Sequence, residues 1–214
     1  LDNGAFMKNP FDHFDRIFLI NLPERTDRLM ESLAECAKVG IQNRVEVVEG
    51  IKKGTIGLTA TVYNILSSID QYETVLILED DIKWVNNPLP SLRIAMEQIC
   101  WEDWDMLYLG ALTKQRLKLR YPNWYRLTYG YCCHAVVYNA RVIPAVLTLL
   151  RSYLNKTAVI DRLYAEYLQP NHSCYLISPM IADQRPSFSN LENKYADYNL
   201  LKHFEQMQSY SKSR

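Results

Sequence analysis

VLILEDDIKWV, residues 75–85, drives an aliphatic run into three carboxylates, Glu79, Asp80 and Asp81, and then returns to apolar residues. Two like charges about 4 Å apart repel by roughly 4 kcal/mol at an effective dielectric near 20. The triplet therefore strains a fold unless protonation, solvent or a cation relieves it. While the chain stays extended, successive side chains alternate, so Glu79 and Asp81 share one side, about 7 Å apart along the backbone, and Asp80 points to the other. An isolated acidic triplet more often starts a solvated loop. At the carboxyl end of a core strand, the stronger expectation is a partly hydrated, all-oxygen cation site suited to Mg2+ or Mn2+.

The chain on either side of this run alternates in character. Residues 16–22 (RIFLINL) are β-branched and aliphatic and stop at Pro23; residues 45–48 and 105–109 have the same strand character. Between them, residues 25–39 place Leu29, Leu33 and Ala37 at four-residue intervals with Gly40 as the stop, and residues 55–69 and 89–99 also read as helices. This alternation predicts an α/β fold with a mostly parallel central sheet flanked by helices. Ligands of such sheets collect beyond the carboxyl ends of the strands. The polar ends of INLPERTDR (20–28) and LILEDD (76–81) should therefore face one crevice.

Beyond Gly110 the pattern changes. Residues 116–138 are rich in Tyr and Trp, with turn signals at Pro122-Asn123 and Gly130, and predict hairpins, a smaller antiparallel part in the second half. Helices are expected over 140–153 and 158–168, a strand over 174–178, and a polar tail from Ser187 ending in a helix over 199–207. Without an internal repeat or low-complexity linker, residues 1–214 are expected to form a single domain, with about 188–214 as its tail. Met7 is read as the native start, and residues 1–7 are left out of the fold argument.

Bulk composition narrows the partners. With 214 residues, 48% of them hydrophobic, the chain can bury a sizeable core. Lys plus Arg and Asp plus Glu are equal at 24 each, so no net positive field argues for nucleic acid or an anionic membrane. Cys36, Cys100, Cys132, Cys133 and Cys174 have no CxxC spacing, which disfavours a disulfide framework or structural zinc and points to reduced thiols in the cytoplasm. The sequons at Asn155 and Asn171 matter only in a secreted chain. No apolar run reaches the roughly 18 residues a transmembrane helix needs.

Six motifs in order, FLINLPERTDRL (18–29), LILEDDI (76–82), DMLYLG (105–110), YGYCCHAVVYNA (129–140), VIDRLYAEYL (159–168) and ADQRPSFSN (182–190), resemble glycosyltransferase family 25. That family includes lipopolysaccharide-type and collagen galactosyltransferases and has the GT-A fold. The likeness runs from about Arg16 to Asn190. It implies a UDP-sugar donor, a glycan acceptor, inversion at the anomeric carbon and a divalent cation, Mn2+ or Mg2+. Glu79-Asp80-Asp81 stands where the fold keeps its Asp-x-Asp metal motif. Asp81 and Glu79 are the expected metal residues, Asp81 as direct ligand and Glu79, or Asp80, by way of the ribose or a coordinated water.

Further roles follow from this likeness and from the residues themselves. Asn21, Leu22, Arg25 and Arg28 are expected at the nucleotide or its phosphates, although Arg25 and Arg28 could instead pair with Glu24 and Asp27 on a helix surface. Thr59 offers a donor-site hydroxyl or a helix cap. Ala60-Thr61 replaces the Ser-His pair of many relatives, so this stretch supplies no imidazole. Asp161, the acidic residue of VIDRLY, is the expected base, with a helix cap as its plain alternative and Asp183 in reserve. Gln184 and Ser187 should line the donor pocket. His134 is expected in the core, and His203 as a surface residue or a further metal ligand. Trp124 and Tyr125, beside a turn, are expected to reach an acceptor sugar.

The expected function is therefore a metal-dependent, inverting glycosyltransferase. Clustered carboxylates also serve metal phosphohydrolases and nucleases, but those want a second acidic or histidine cluster, which the sequence lacks. A non-catalytic sugar- or partner-binding module with the same fold is the other alternative.

Overall fold

The computed structural model describes residues 9–70, 73–99, 104–189, 194–196 and 199–203. An eight-stranded sheet runs through its centre. Strands β1 (Arg16–Asn21), β2 (Val45–Glu49) and β3 (Val75–Glu79) are parallel neighbours in the order β2, β1, β3, connected through helices α1 (Thr26–Lys38) and α2 (Gly54–Ser67). The chain continues through β4 (Ile82–Trp84), α3 (Leu89–Gln98), β5 (Met106–Tyr108), the hairpin β6 (Lys118–Tyr121) and β7 (Trp124–Arg126), and β8 (Ala135–Tyr138). β8 lies antiparallel between β3 and β5. β9 (Cys174–Ile177) runs parallel to β5, and the hairpin closes the far edge. All eight strands except β7 and β8 point one way, so the architecture is α/β with a mostly parallel central sheet.

The central strands β1, β3, β5, β8 and β9 read as continuous apolar runs because both of their faces are covered. In β1, Ile17 and Leu19 enter a core shared with Cys36 of α1 and Leu92 and Ala95 of α3. Phe18 and Ile20 enter the opposite core, with Val62 and Ile65 of α2 and Val146 and Leu150 of α4 (Ile143–Arg151). β3 divides the same way, Leu76 and Leu78 to the α1 side, Val75 and Ile77 to the α2 side. A strand locked by packing on both faces delivers the residues after Leu78 to a fixed place.

Several elements depart from the expected pattern. In α1, Ala37 is exposed and Leu29 and Leu33 are half-buried; the inward residues are Ser32, Glu35 and Cys36. The helix turns a partly polar face inward because the acidic turn after β3 lies against it. Residues 116–138 hold one hairpin, and β8 is a central strand of the main sheet. Residues 140–153 open with a 3-10 turn, Ala140–Val142, ahead of α4, whose second residue is Pro144. Residues 158–168 divide into α5 (Ile160–Leu163) and a π-helical turn, Tyr164–Leu168. The Gln169 N–H closes that turn on Tyr164 O at 2.8 Å, while the buried Gln169 side chain donates to Tyr108 Oη and Gly130 O, each at 3.0 Å.

Among the described residues two small ladders lie outside the main sheet: β10 (Ala182–Gln184) pairs antiparallel with β4, and β11 (Ser187–Ser189) with β12 (Lys194–Ala196). Residues 200–203 are helical, and residues 204–207 of the expected tail helix lie outside the described residues. Among the described residues no helix is long and apolar enough to cross a membrane.

Candidate active site

β3 ends at Glu79, and Asp80 and Asp81 form the turn into β4. The three carboxylates separate at once. Glu79 follows Val75 and Ile77 onto the α2 side, where it lines a small cleft with Ile20, Leu58, Val62, Cys133, Tyr138 and Ile160. Asp80 leaves on the opposite side and accepts from Arg28 Nη1 at 2.7 Å. Asp81 lies against β10, with Oδ2 accepting from Gln184 Nε2 at 3.2 Å. Among the described residues its other oxygen, Oδ1, is buried without a hydrogen-bond partner.

Helix α1 holds this turn from the side. Arg28, Ser32 and Glu35 fall on one helical face. Ser32 Oγ donates to Asp80 O at 2.8 Å, and Glu35 Oε2 accepts the Trp84 N–H at 2.9 Å. Arg185, just past β10, completes the frame. Its N–H donates to Asp81 O at 2.7 Å, Nη2 donates to Ser32 Oγ at 2.9 Å and to Asp80 O, and Nη1 pairs with Glu31 at 2.7 Å. Neither Ser32 nor Arg185 stood out in the sequence. The apolar spacing of α1 draws the eye to Leu29 and Leu33, and Arg185 lies far along the chain from the acids it meets.

Electrostatics follow this crowding. Burial, then the charges of Asp81, Asp161 and Asp80, push the Glu79 carboxyl well above the ordinary range. Asp81 is pushed up to about 6 by burial and by Asp80, against the pull of Arg28, Gln184 and Arg185. Asp161, in α5, faces the same side as Glu79. Its Oδ2 accepts the Cys132 N–H at 2.7 Å, and burial raises its pKa against the Cys133 thiol and Cys132 N–H, which hold the charged form. Cys132 has φ 75, a left-handed conformation that costs a non-glycine residue about 1–3 kcal/mol. The structure therefore brings Asp161, from a distant part of the chain, beside Glu79 at the acidic turn.

Asn21 ends β1, beside the acidic turn through the pairing of Ile20 with Glu79. It is buried; Nδ2 donates to Leu22 O at 2.7 Å, and Oδ1 has no partner. Among the described residues Asn21 Oδ1, Asp81 Oδ1 and Gln184 Oε1 are thus buried acceptors without donors. Leaving such an atom unpaired costs about 1–3 kcal/mol. A donor-bearing or cationic ligand would relieve that cost, and an all-oxygen set fits a hard divalent cation. Among the described residues no group of three or more His, Cys, Asp or Glu side chains could hold a metal by themselves.

The other expected residues fall as follows. Arg25 pairs with Asp27 at 3.2 Å and also faces the charge of Asp80. Glu24 pairs with Lys52 at 2.6 Å. Thr59 is buried inside α2 and donates to Thr55 O at 3.0 Å, so it caps no helix. Asp183 Oδ1 accepts the N–H groups of Gln184 at 2.9 Å and Leu200 at 3.2 Å. Ser187 opens β11, and its side chain lies outside the described set. His134 is fully buried and His203 is exposed. Trp124, expected at an acceptor, is wholly buried with Nε1 donating to Ala95 O at 2.8 Å; Tyr125 is half-buried on the edge hairpin.

No family model matches the chain, and no curated protein matches it in sequence. Among solved structures, a glycosyltransferase involved in the glycosylation of the major capsid of PBCV-1 superposes with a TM-score of 0.52, covering 90% of this chain and 98% of that one at 9% identity. Mannose-1-phosphate geranyltransferase from Thermus thermophilus gives a TM-score of 0.42 at 13% identity, covering 76% of this chain and 72% of that one. The first likeness is one of fold, and it places this α/β chain among GT-A-type architectures.

Proposed function

We propose that this chain is a divalent-cation-dependent, inverting glycosyltransferase, akin to glycosyltransferase family 25, that moves a sugar from a UDP-sugar to a glycan hydroxyl. The observation that carries the reading is Asp81 Oδ1, a buried carboxylate oxygen without a partner at the carboxyl end of a core strand. Asp81 would hold Mn2+ or Mg2+, with Glu79 beside it and the rest of the coordination shell coming from the diphosphate and water. When bound, the cation supplies Lewis-acid stabilisation of the charge that grows on the departing diphosphate.

The chain's own residues do the remainder. Asn21, Leu22 and Gln184 present polar groups at the mouth of the sheet to the nucleotide and ribose, with Thr59 and Ser187 in the adjoining segments. Arg25, whose partner Asp27 is exposed, is available to exchange that surface pair for a phosphate. Asp80 and Arg28 satisfy one another and hold the turn. Asp161 takes the proton from the acceptor hydroxyl: its half-buried carboxyl is basic enough to accept, and the Cys132 N–H and Cys133 thiol fix its direction. Asp183 is already engaged by Leu200 and serves the tail. The expected setting is the cytoplasm.

The test is a panel of UDP-sugars offered with Mn2+ and, separately, with EDTA. Acceptor-dependent UDP release with one donor, abolished by EDTA, is expected. Release of inorganic phosphate from the nucleotide would favour a phosphohydrolase, and binding without turnover for any donor would favour a sugar-binding module.

A further inference from the structure

Residues 184 and 185 govern the acidic turn more completely than any residue of the turn itself. The Arg185 N–H occupies Asp81 O; its Nη2 occupies Asp80 O, which also accepts from Ser32 Oγ; Gln184 Nε2 occupies Asp81 Oδ2. Of the acceptors of Asp81, the backbone oxygen and one carboxylate oxygen are thereby taken, and among the described residues Oδ1 is left buried and unpaired. The Arg185 side chain is 16% exposed, whereas Glu31, which holds its outer nitrogen, is 62% exposed. The guanidinium is therefore sunk into the frame with one tip at the surface.

Crowded carboxylates at Glu79 and Asp81 favour opening of the turn, and the donors of Arg28, Ser32, Gln184 and Arg185 oppose that motion before a cation arrives. We propose that Arg185 is a positioning residue: it pins the Asp80–Asp81 backbone so that Asp81 Oδ1 points at the cation and diphosphate, without touching the donor. The inference rests on the reading of Asp81 as the cation's ligand. A planar fork is needed because the nitrogens must serve Ser32 Oγ, Asp80 O and Glu31 at once, which a lysine ammonium on its single nitrogen does not reproduce.

The experiment compares the full chain with Arg185→Ala, Arg185→Lys and a control, Arg141→Ala. Arg141 pairs with Asp105 at 2.8 Å just before β5, at the end of the sheet where β3 begins and opposite the acidic turn. Three quantities are read: thermal midpoint, UDP affinity with and without Mn2+, and amide exchange of residues 79–84. Both alanine variants should lose stability. Only Arg185→Ala should weaken Mn2+-dependent UDP binding, by about tenfold, the lower end of what outer-shell partners of a metal ligand contribute, and speed exchange at residues 79–84. UDP binding without Mn2+ should not change, Arg185→Lys should regain stability more than Mn2+-dependent affinity, and added guanidinium should restore part of the affinity to Arg185→Ala.

Wild-type affinity and exchange in Arg185→Ala would overturn the proposal. A wild-type chain that binds no Mn2+-UDP overturns the cation reading instead, while the exchange data still decide whether Arg185 pins the turn. If Arg185→Ala does not fold, Glu31→Gln, which frees only the exposed tip, should shift affinity and exchange in the same direction; no shift in either overturns the role.

Discussion

Arg28 Nη1 donates to Asp80 Oδ1 at 2.7 Å, joining residues 52 apart in sequence, and the two side chains are only 13% and 12% exposed. The middle carboxylate of the triplet is thus neutralised by α1, and Arg28 is committed to the protein's own acid. Breaking a desolvated pair by deleting one partner leaves a buried charge. Arg28→Met should therefore lower the unfolding free energy by about 3 kcal/mol, and Arg28→Met with Asp80→Asn should recover most of it. Urea titrations of both variants check this. An Arg28→Met chain of wild-type stability that no longer binds UDP would instead assign Arg28 to the phosphates.

Asp81 gives a pH prediction of opposite character. Its folded pKa is raised from 3.8 to about 6, so the folded state holds this proton more tightly than the unfolded chain does. Any stability from the protonated form is complete below about pH 4 and is lost as pH rises through about 6. At pH 8 the ionised carboxylate then burdens the fold by about 3 kcal/mol. Asp81→Asn should unfold at a higher temperature than wild type at pH 8, with the gain vanishing near pH 4. Mn2+ with UDP should raise the wild-type midpoint and leave that of Asp81→Asn unmoved. A variant less stable than wild type at pH 8 would mean that the ionised carboxylate helps to hold the turn.

These two residues also mark what the sequence could reveal. Glu79, Asp80 and Asp81 were legible because carboxylates are conspicuous after an aliphatic strand, and the parallel core was legible because strands covered on both faces lose their polar alternation. The polar face of α1 was not, since Arg28, Ser32 and Glu35 look like a solvated surface until the acidic turn is set against them. β4 and β10 have three residues each, too few to carry a period. Arg185 and Gln184 meet Asp81 only through that short ladder. Trp124 misled for a related reason: an aromatic residue beside a turn fits a sugar platform and a core plug equally well, and only packing against α3 decides.

Asp161→Asn separates chemistry from binding. The amide keeps the size of the carboxylate and can still accept the Cys132 N–H, but it cannot take a proton. Turnover should fall by roughly a hundred- to ten-thousand-fold, the contribution usual for a general base, while Mn2+-dependent UDP affinity stays within a factor of about two. The split between kcat and donor affinity, read from initial rates and calorimetry, is the informative measurement. Unchanged turnover would remove Asp161 from the reaction and return Asp183 to consideration.

Gly110 tests whether the frame around the acidic turn is as rigid as its contacts indicate. It follows β5, and a Cβ there would lie 2.1 Å from Ala182 O and 2.9 Å from His134 Nε2. Backbone cannot yield as a flexible side chain can, and Ala182 is tied at its own N–H to Leu109 O at 3.0 Å. Gly110→Ala must displace the start of β10, and with it Gln184 and Arg185. Gly130 offers the contrast: its added Cβ would meet Leu127 Cδ1 at 2.8 Å, the movable end of a side chain, and its nearest backbone atom at 3.4 Å. Gly110→Ala should lose about 2–3 kcal/mol, in the range of overpacking, together with much of the Mn2+-dependent UDP affinity. Gly130→Ala should lose less than about 1.5 kcal/mol and keep that affinity. Equal affinity losses in the two variants would mean that β10 does not transmit its position to Asp81.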